Sequence, residues 1–169
     1  MSDAVVFAAS ESEWHKIPLI YEADGYDGAA ALMRAGAAEE IAEFRAGGRV
    51  LFLAEIDGRV VGTAGLGIRG KPAGLADGIT SANVSRLHVV RAERYRGIAS
   101  ALMAAVEDEA RHRGFRTLTI EAEGDNVPAR SLYDKLGYEG TGAGQEAGNI
   151  AMGIILLSYR PLQAVWQGK

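Results

Sequence analysis

The sequence predicts an α/β (α+β) domain built on a mixed, mostly antiparallel sheet. Three observations lead there. Apolar alternation at period two and apolar stripes at helical spacing take turns along the chain, in the order β-α-α-β-β-β-α-β-α-β-β. The 169 residues suit a single domain over 1–169 with a sizeable core. Apolar residues make up 48% and charged residues 24%, the balance of a globular chain, with no repeat and no low-complexity tract.

Each element has its own signal. Val5, Val6 and Phe7 place a first strand at 4–9. Residues 11–26 are ambiguous, because Pro18 interrupts any helix there. From about 28 to 46, Met33, Ala37, Ile41 and Phe44 recur at helical spacing, and Gly47-Gly48 ends the run. Val50 to Ile56 reads as a strand, Asp57-Gly58 as a hairpin turn and Val60 to Ile68 as the partner strand. A loop over 69–78 leads into a long strand over 80–90. The clearest helix spans 97–113, with Ile98, Leu102, Val106 and Ala110 on one face and Gly114 as its stop. Phe115 to Ala122 alternates as a strand. A short helix over 127–136 carries Ala129, Leu132, Tyr133 and Leu136 on one stripe, and strands near 138–142 and 150–158 close the order.

Composition excludes several classes of function. With no cysteine there is no disulfide, no thiolate zinc site and no cysteine nucleophile, and a cytoplasmic setting is expected. The N-terminus has no basic region and only a short apolar run, so it is not expected to be a secretory signal. The longest apolar stretch, Ile150 to Tyr159, falls well short of the ~20 residues a membrane helix needs, so no membrane partner is expected. A net charge of −4 and a single local basic cluster (Arg86, Arg91, Arg94, Arg96) argue for a phosphorylated small ligand and against nucleic acid. His15, His88 and His112 have no metal-ligand spacing, so no metal is expected, and no G-x-S-x-G elbow is present. Gly65-Leu-Gly67-Ile-Arg-Gly70 matches G-x-G-x-x-G, and the same segment reads G-x-x-x-x-G-K to Lys71. Both need a helix next, the second also a Ser or Thr, and Pro72 is there instead; a hairpin strand running into a loop is the better reading.

One constellation remains. Between Val89 and Ser100 a strand ends, a short basic turn comes next and a strongly amphipathic helix begins. A helix start presents unpaired N–H groups and the positive end of a dipole. Gly97 and Ala99 let a phosphate approach the backbone closely, and Arg94 and Arg96 add positive charge. An ordinary helix start with surface arginines satisfies the same residues equally well.

Arg94-x-x-Gly97-x-Ala99, preceded by Leu87-His-Val89, resembles the Q/R-x-x-G-x-G/A motif of the GCN5-related N-acetyltransferases. The segment Asn126-Val-Pro-Ala129-Arg-Ser-Leu132-Tyr133-Asp-Lys135-Leu-Gly137-Tyr138 resembles a second motif of that family. The resemblance covers residues 50–140 well and the first 48 loosely. It implies a sheet of about seven strands flanked by about four helices, and acetyl-coenzyme A as cosubstrate. It further implies that main-chain groups of Leu87 and Val89 pair with the pantetheine arm. Amides from Arg94 or Arg96 through Gly97, Ile98, Ala99 and Ser100 would hold the pyrophosphate, and Asn126 would bond the pantetheine or its neighbouring backbone. Tyr133 would lie near the sulfur and protonate the departing thiolate; on spacing alone a core tyrosine is the better reading, and the motif is what favours the acid role.

Glu121, twelve residues before Tyr133, is the first candidate for the general base, since some family members place a glutamate at this offset. A solvated strand-end glutamate is the competing reading. Other members carry a base on the strand before the pyrophosphate loop, where this chain has Asn83 and Ser85, neither of which titrates near neutrality. His88 has the opposite strand parity and ranks low; Glu55, Asp77 and Glu123 stand further out. The expectation is acetyl transfer to a primary amine, of a small molecule, by direct attack in a ternary complex. The acceptor is expected between residues 20–35 and the loop 69–80, where Glu22, Asp24, Asp27 and Asp77 hint at a cationic molecule. A non-catalytic acyl-coenzyme A sensor, or an enzyme acting on a protein N-terminus or lysine, are the alternatives. The apolar last strand and Trp166 leave a homodimer open.

Overall fold

The computed structural model describes residues 4–68, 76–141 and 149–155. The expectations for Gly70, Lys71 and the rest of 69–75, for 156–159 and for Trp166 lie outside the described residues.

The elements are β1 (Val5–Ala8), α1 (Lys16–Glu22), α2 (Asp27–Arg45), β2 (Arg49–Ile56), β3 (Arg59–Gly67), β4 (Ser81–Val89), α3 (Ile98–His112), β5 (Thr117–Glu123), α4 (Val127–Lys135), β6 (Glu139–Gly140) and β7 (Asn149–Ile155). The strands form one seven-stranded sheet in the order β1-β2-β3-β4-β5-β7-β6. Every neighbouring pair is antiparallel except β4 with β5. A parallel pair needs a crossover, and α3 supplies it. The mixed, mostly antiparallel sheet and four helices match the expected class.

Pro18 does not break the chain's first helix, which corrects the reading of 11–26. It is the third residue of α1, where amides have no intrahelical acceptor and a missing N–H costs nothing. Along α2 the expected stripe is real: Met33 is buried, Ile41 and Phe44 are partly buried, and the Phe44 ring meets Trp14 at 5.1 Å.

The sheet is covered on both faces. Leu102, Met103, Val106 and Ala110 of α3 are fully buried, as the helical spacing predicts. A Cβ on Gly62 of β3 would meet Leu102 at 3.1 Å and the His88 carbonyl at 3.2 Å, so the close approach of α3 depends on a residue with no side chain. Thr63, the next residue, faces the other way, toward the layer of α1 and α2.

Two irregularities mark β4. Ser85 pairs with Gly65 and His88 with Thr63, so Arg86 and Leu87 together oppose Ala64 alone. This is a β-bulge, with Arg86 at φ 59°. Beyond it, β4 parts from β5: their ladder runs only from Ser81 with Thr117 to Val84 with Ile120. Residues 85–89 remain paired to β3 on one side, while Glu121 to Glu123 pair with β7 on the other. A notch therefore opens between the two strands, toward the start of α3.

Candidate active site

The notch leads to the N-terminus of α3. Gly97 turns the chain at φ 79°, and Ala101 N–H, bonded to the Gly97 carbonyl at 3.0 Å, is the first amide with an intrahelical acceptor. The N–H groups of Ile98, Ala99 and Ser100 have none, no side chain caps the helix, and its first turn has no acidic residue. A Cβ on Gly97 would find nothing within 4 Å among the described residues, so there is open space at the residue that enters the helix. Three convergent donors, a dipole end and open space suit an anion of pyrophosphate type. Tyr95, at φ 62° and 94% exposed, stands at the tip of this loop.

Arg94 and Arg96 lie beside the cradle, but their charges are engaged within the protein. Arg94 Nε donates to the Val89 carbonyl at 2.9 Å, and its guanidinium meets Asp24 at 3.2 Å. Arg96 pairs with Glu93, which also accepts from Arg59 at 2.8 Å. Arg59 and Arg96 together hold the Glu93 carboxyl below the usual range. The arginines brace the loop, and the backbone presents the positive potential. Leu87 lies on the bulge, partly buried; the Val89 side chain is buried and sits 3.3 Å from the Cβ position of Gly62, toward α3.

Asp24, in the turn between α1 and α2, is a buried and multiply bonded carboxylate. It accepts from the Arg91 N–H at 2.8 and 3.0 Å, from His88 Nε2 at 2.9 Å and from Arg94, with 5% of its side chain exposed. Burial pushes its pKa up, but the Arg91 N–H, His88 and Arg94 outweigh burial and hold it below the ordinary value. The carboxylate leaves Nε2 as the protonated ring nitrogen of neutral His88. The imidazole stacks on Tyr21 (centroids 4.4 Å apart) and takes the edge of Tyr26 at 5.7 Å.

The ranking of His88 by parity is overturned. The bulge adds one residue, so His88 returns to the face of Asn83 and Ser85. Nothing in the local pattern signals this, because Arg86 and Leu87 are ordinary strand residues. Asn83 and Ser85 themselves serve the sheet: Asn83 Nδ2 donates to the Thr119 carbonyl at 3.2 Å, and Ser85 accepts from Arg49 at 3.2 Å. Thr63, directly opposite His88, has a buried hydroxyl with no hydrogen-bond partner among the described residues.

Glu121 is half-buried on β5 and, two residues on from Thr119, shares the face of Asn83. Tyr133 of α4 is 4% exposed, with its ring 6.0 Å from that of Tyr138. Burial, with a smaller contribution from nearby Tyr21, pushes its phenol up to about 12, so it stays protonated through neutral pH. Asn126 caps α4, its Oδ1 accepting from Ala129 N–H at 3.2 Å. Glu55 lies away on β2, and Glu123 is exposed at the end of β5.

The acidic hint toward a cationic acceptor weakens. Glu22 pairs with Arg34 at 2.5 Å, Asp24 is committed as above, and Asp77 accepts from the N–H groups of Ile79, Thr80 and Ser81 at 2.8 Å each. The Thr80 hydroxyl and these amides hold Asp77 far below the usual carboxylate range. Among the described residues no group of three or more His, Asp or Glu gathers to hold a metal, and no helix is long and apolar enough to cross a membrane.

Comparison with known proteins meets this geometry. The model of the acetyltransferase (GNAT) family matches residues 14–138. The Xenopus tropicalis protein called probable N-acetyltransferase camello is 35% identical over 88 residues, which are 52% of this chain and 37% of that protein. The chain thus spans little more than a third of that relative's length. The ribosomal-protein-alanine N-acetyltransferase of Brucella melitensis superposes with a TM-score of 0.71 at 25% identity, covering 90% of this chain and 99% of that one. The paia N-acetyltransferase of Thermoplasma acidophilum, solved with coenzyme A, superposes with a TM-score of 0.72 over 92% and 99%. At 15% identity that last likeness is one of fold alone.

Proposed function

The chain belongs to the acetyltransferase (GNAT) family, and from this premise we propose that it transfers an acetyl group from acetyl-coenzyme A to a primary amine by direct attack in a ternary complex. The observation that carries the reading is the uncapped start of α3 at the end of the β4–β5 notch, with open space over Gly97. The amides of Ile98, Ala99 and Ser100 hold the pyrophosphate, and main-chain groups of Leu87 and Val89 guide the pantetheine along the notch. Acetyl-coenzyme A supplies an acyl group already activated as a thioester.

The chain's own residues then manage protons. Tyr133, kept protonated by burial, donates to the departing sulfur. Glu121, on the face of β5 shared with Asn83 of β4, takes the proton of the attacking amine. Asn126 holds the start of α4, and so Tyr133, in place. No residue is asked to carry the acetyl group, which fits a chain without cysteine. The compartment that suits such a chain is the cytoplasm.

The acceptor is a primary amine of a small molecule on the reading of the sequence. A protein N-terminus is the second reading, and one observation favours it: the ribosomal-protein-alanine enzyme is similar at 25% identity over nearly its whole chain. The deciding experiment monitors thiol release from acetyl-coenzyme A with small amines, aminoglycosides and short peptides as acceptors. Tyr133→Phe and Glu121→Gln should each lower kcat by about a hundredfold to ten-thousandfold while leaving coenzyme A binding intact. Tight binding without turnover on any of these acceptors would instead favour a sensor or an acceptor outside the panel.

A further inference from the structure

Asp24 belongs to the turn joining α1 and α2, on the side where the acceptor is expected, yet its carboxylate bonds to the strand and loop of the cofactor side. It binds His88 on β4, the Arg91 amide in the turn after β4, and the Arg94 guanidinium at the head of the pyrophosphate loop. Arg94 in turn grips the Val89 carbonyl. One buried carboxylate therefore sets the exit of the bulged strand, the turn and the loop together. The turn that carries it is itself closed by hydrogen bonds of Ala23, Asp24, Gly25 and Tyr26 to carbonyls of α1. Tyr21 and Tyr26, flanking Asp24 in sequence, enclose the His88 ring.

We propose that Asp24 is a positioning residue that couples the acceptor-side α1–α2 turn to the coenzyme A loop, so that binding in the loop tightens the turn. The physical basis is an exchange of freedom. Charge-assisted bonds to a buried carboxylate are strong and directional. A ligand that immobilises residues 91–100 removes motion from Arg91 and Arg94, and their bonds to Asp24 pass that order to Ala23–Tyr26. Asp24 touches neither substrate nor reacting atoms; it acts through His88, Arg91 and Arg94. The proposal rests on the cofactor reading above.

Amide hydrogen exchange on the full chain, with and without coenzyme A, tests it. In the wild type, coenzyme A should slow exchange at Ile98–Ser100 and also at Ala23–Tyr26, which lie across the Asp24 bonds from the loop. In Asp24→Asn the first protection should persist and the second disappear, with the calorimetric Kd for coenzyme A raised about tenfold. Asp24→Glu, which keeps the charge, should recover part of the coupling. Should Asp24→Asn not fold, the wild-type comparison and Asp24→Glu still decide. Loop protection with no change at Ala23–Tyr26 in the wild type overturns the proposal alone. Absence of any calorimetric binding of coenzyme A overturns the cofactor reading and the proposal with it.

Discussion

His88 shows how burial and pairing compete at one residue. Desolvation lowers its pKa, and the Asp24 carboxylate recovers only part of the loss. The unfolded chain therefore takes up the proton first as pH falls. The stabilisation from neutral His88 is intact above the unfolded value of about 6.5 and is lost as pH drops below it. Asp24, shifted down, contributes above the unfolded value of about 3.9, and that contribution is lost as pH falls below it. Thermal midpoints measured at about pH 7.5 and about pH 5.5 should fall toward acid in the wild type and fall less in His88→Gln. An equal fall in both would show that His88 is not the linked group. At this scale the sequence singles out Tyr133 and Glu121 as candidates, because each is carried by a motif or an offset. Asp24 is not legible, since its partners lie 64 or more positions away.

Among the elements, the start of α3 and the bulge of β4 contrast in how they are encoded. Gly97 can be read in advance, because a helix start entered from a left-handed residue calls for glycine. Gly97→Ala should cost about 1–2 kcal/mol from its φ of 79° alone, since nothing lies within 4 Å of the new Cβ. Denaturant unfolding measures that loss, and calorimetry should report weaker coenzyme A binding from the same variant. An unchanged stability would mean the loop relaxes to another path. The bulge has no such signature: it depends on how β4 pairs with β3, and its one extra residue reverses the parity of everything after it. Pro18 misleads for a related reason, because a proline is harmful or harmless according to which turn of the helix it occupies, and no side-chain cap marks the start of α1.

For the whole molecule, stability and site geometry share one core. Leu102 is fully buried on α3 and packs where β3 has Gly62, so Leu102→Ala should destabilise by about 2–5 kcal/mol in urea unfolding. A loss under about 1 kcal/mol would show the contact to be slack, because even one buried methylene is worth nearly that. Hydrophobic period, turn residues and two local motifs were enough to determine the order of strands and helices, the buried face of α3, the family resemblance and the residues proposed to act on protons, for each of these is written in neighbouring positions. Tertiary structure alone decided the notch between β4 and β5, the side on which His88 falls, the engagement of Arg94 and Arg96 as braces and the tie from Asp24 to the loop. These depend on strand register and on charges far apart in the chain, and a side chain's charge is available to a ligand only if the fold has left it unpaired.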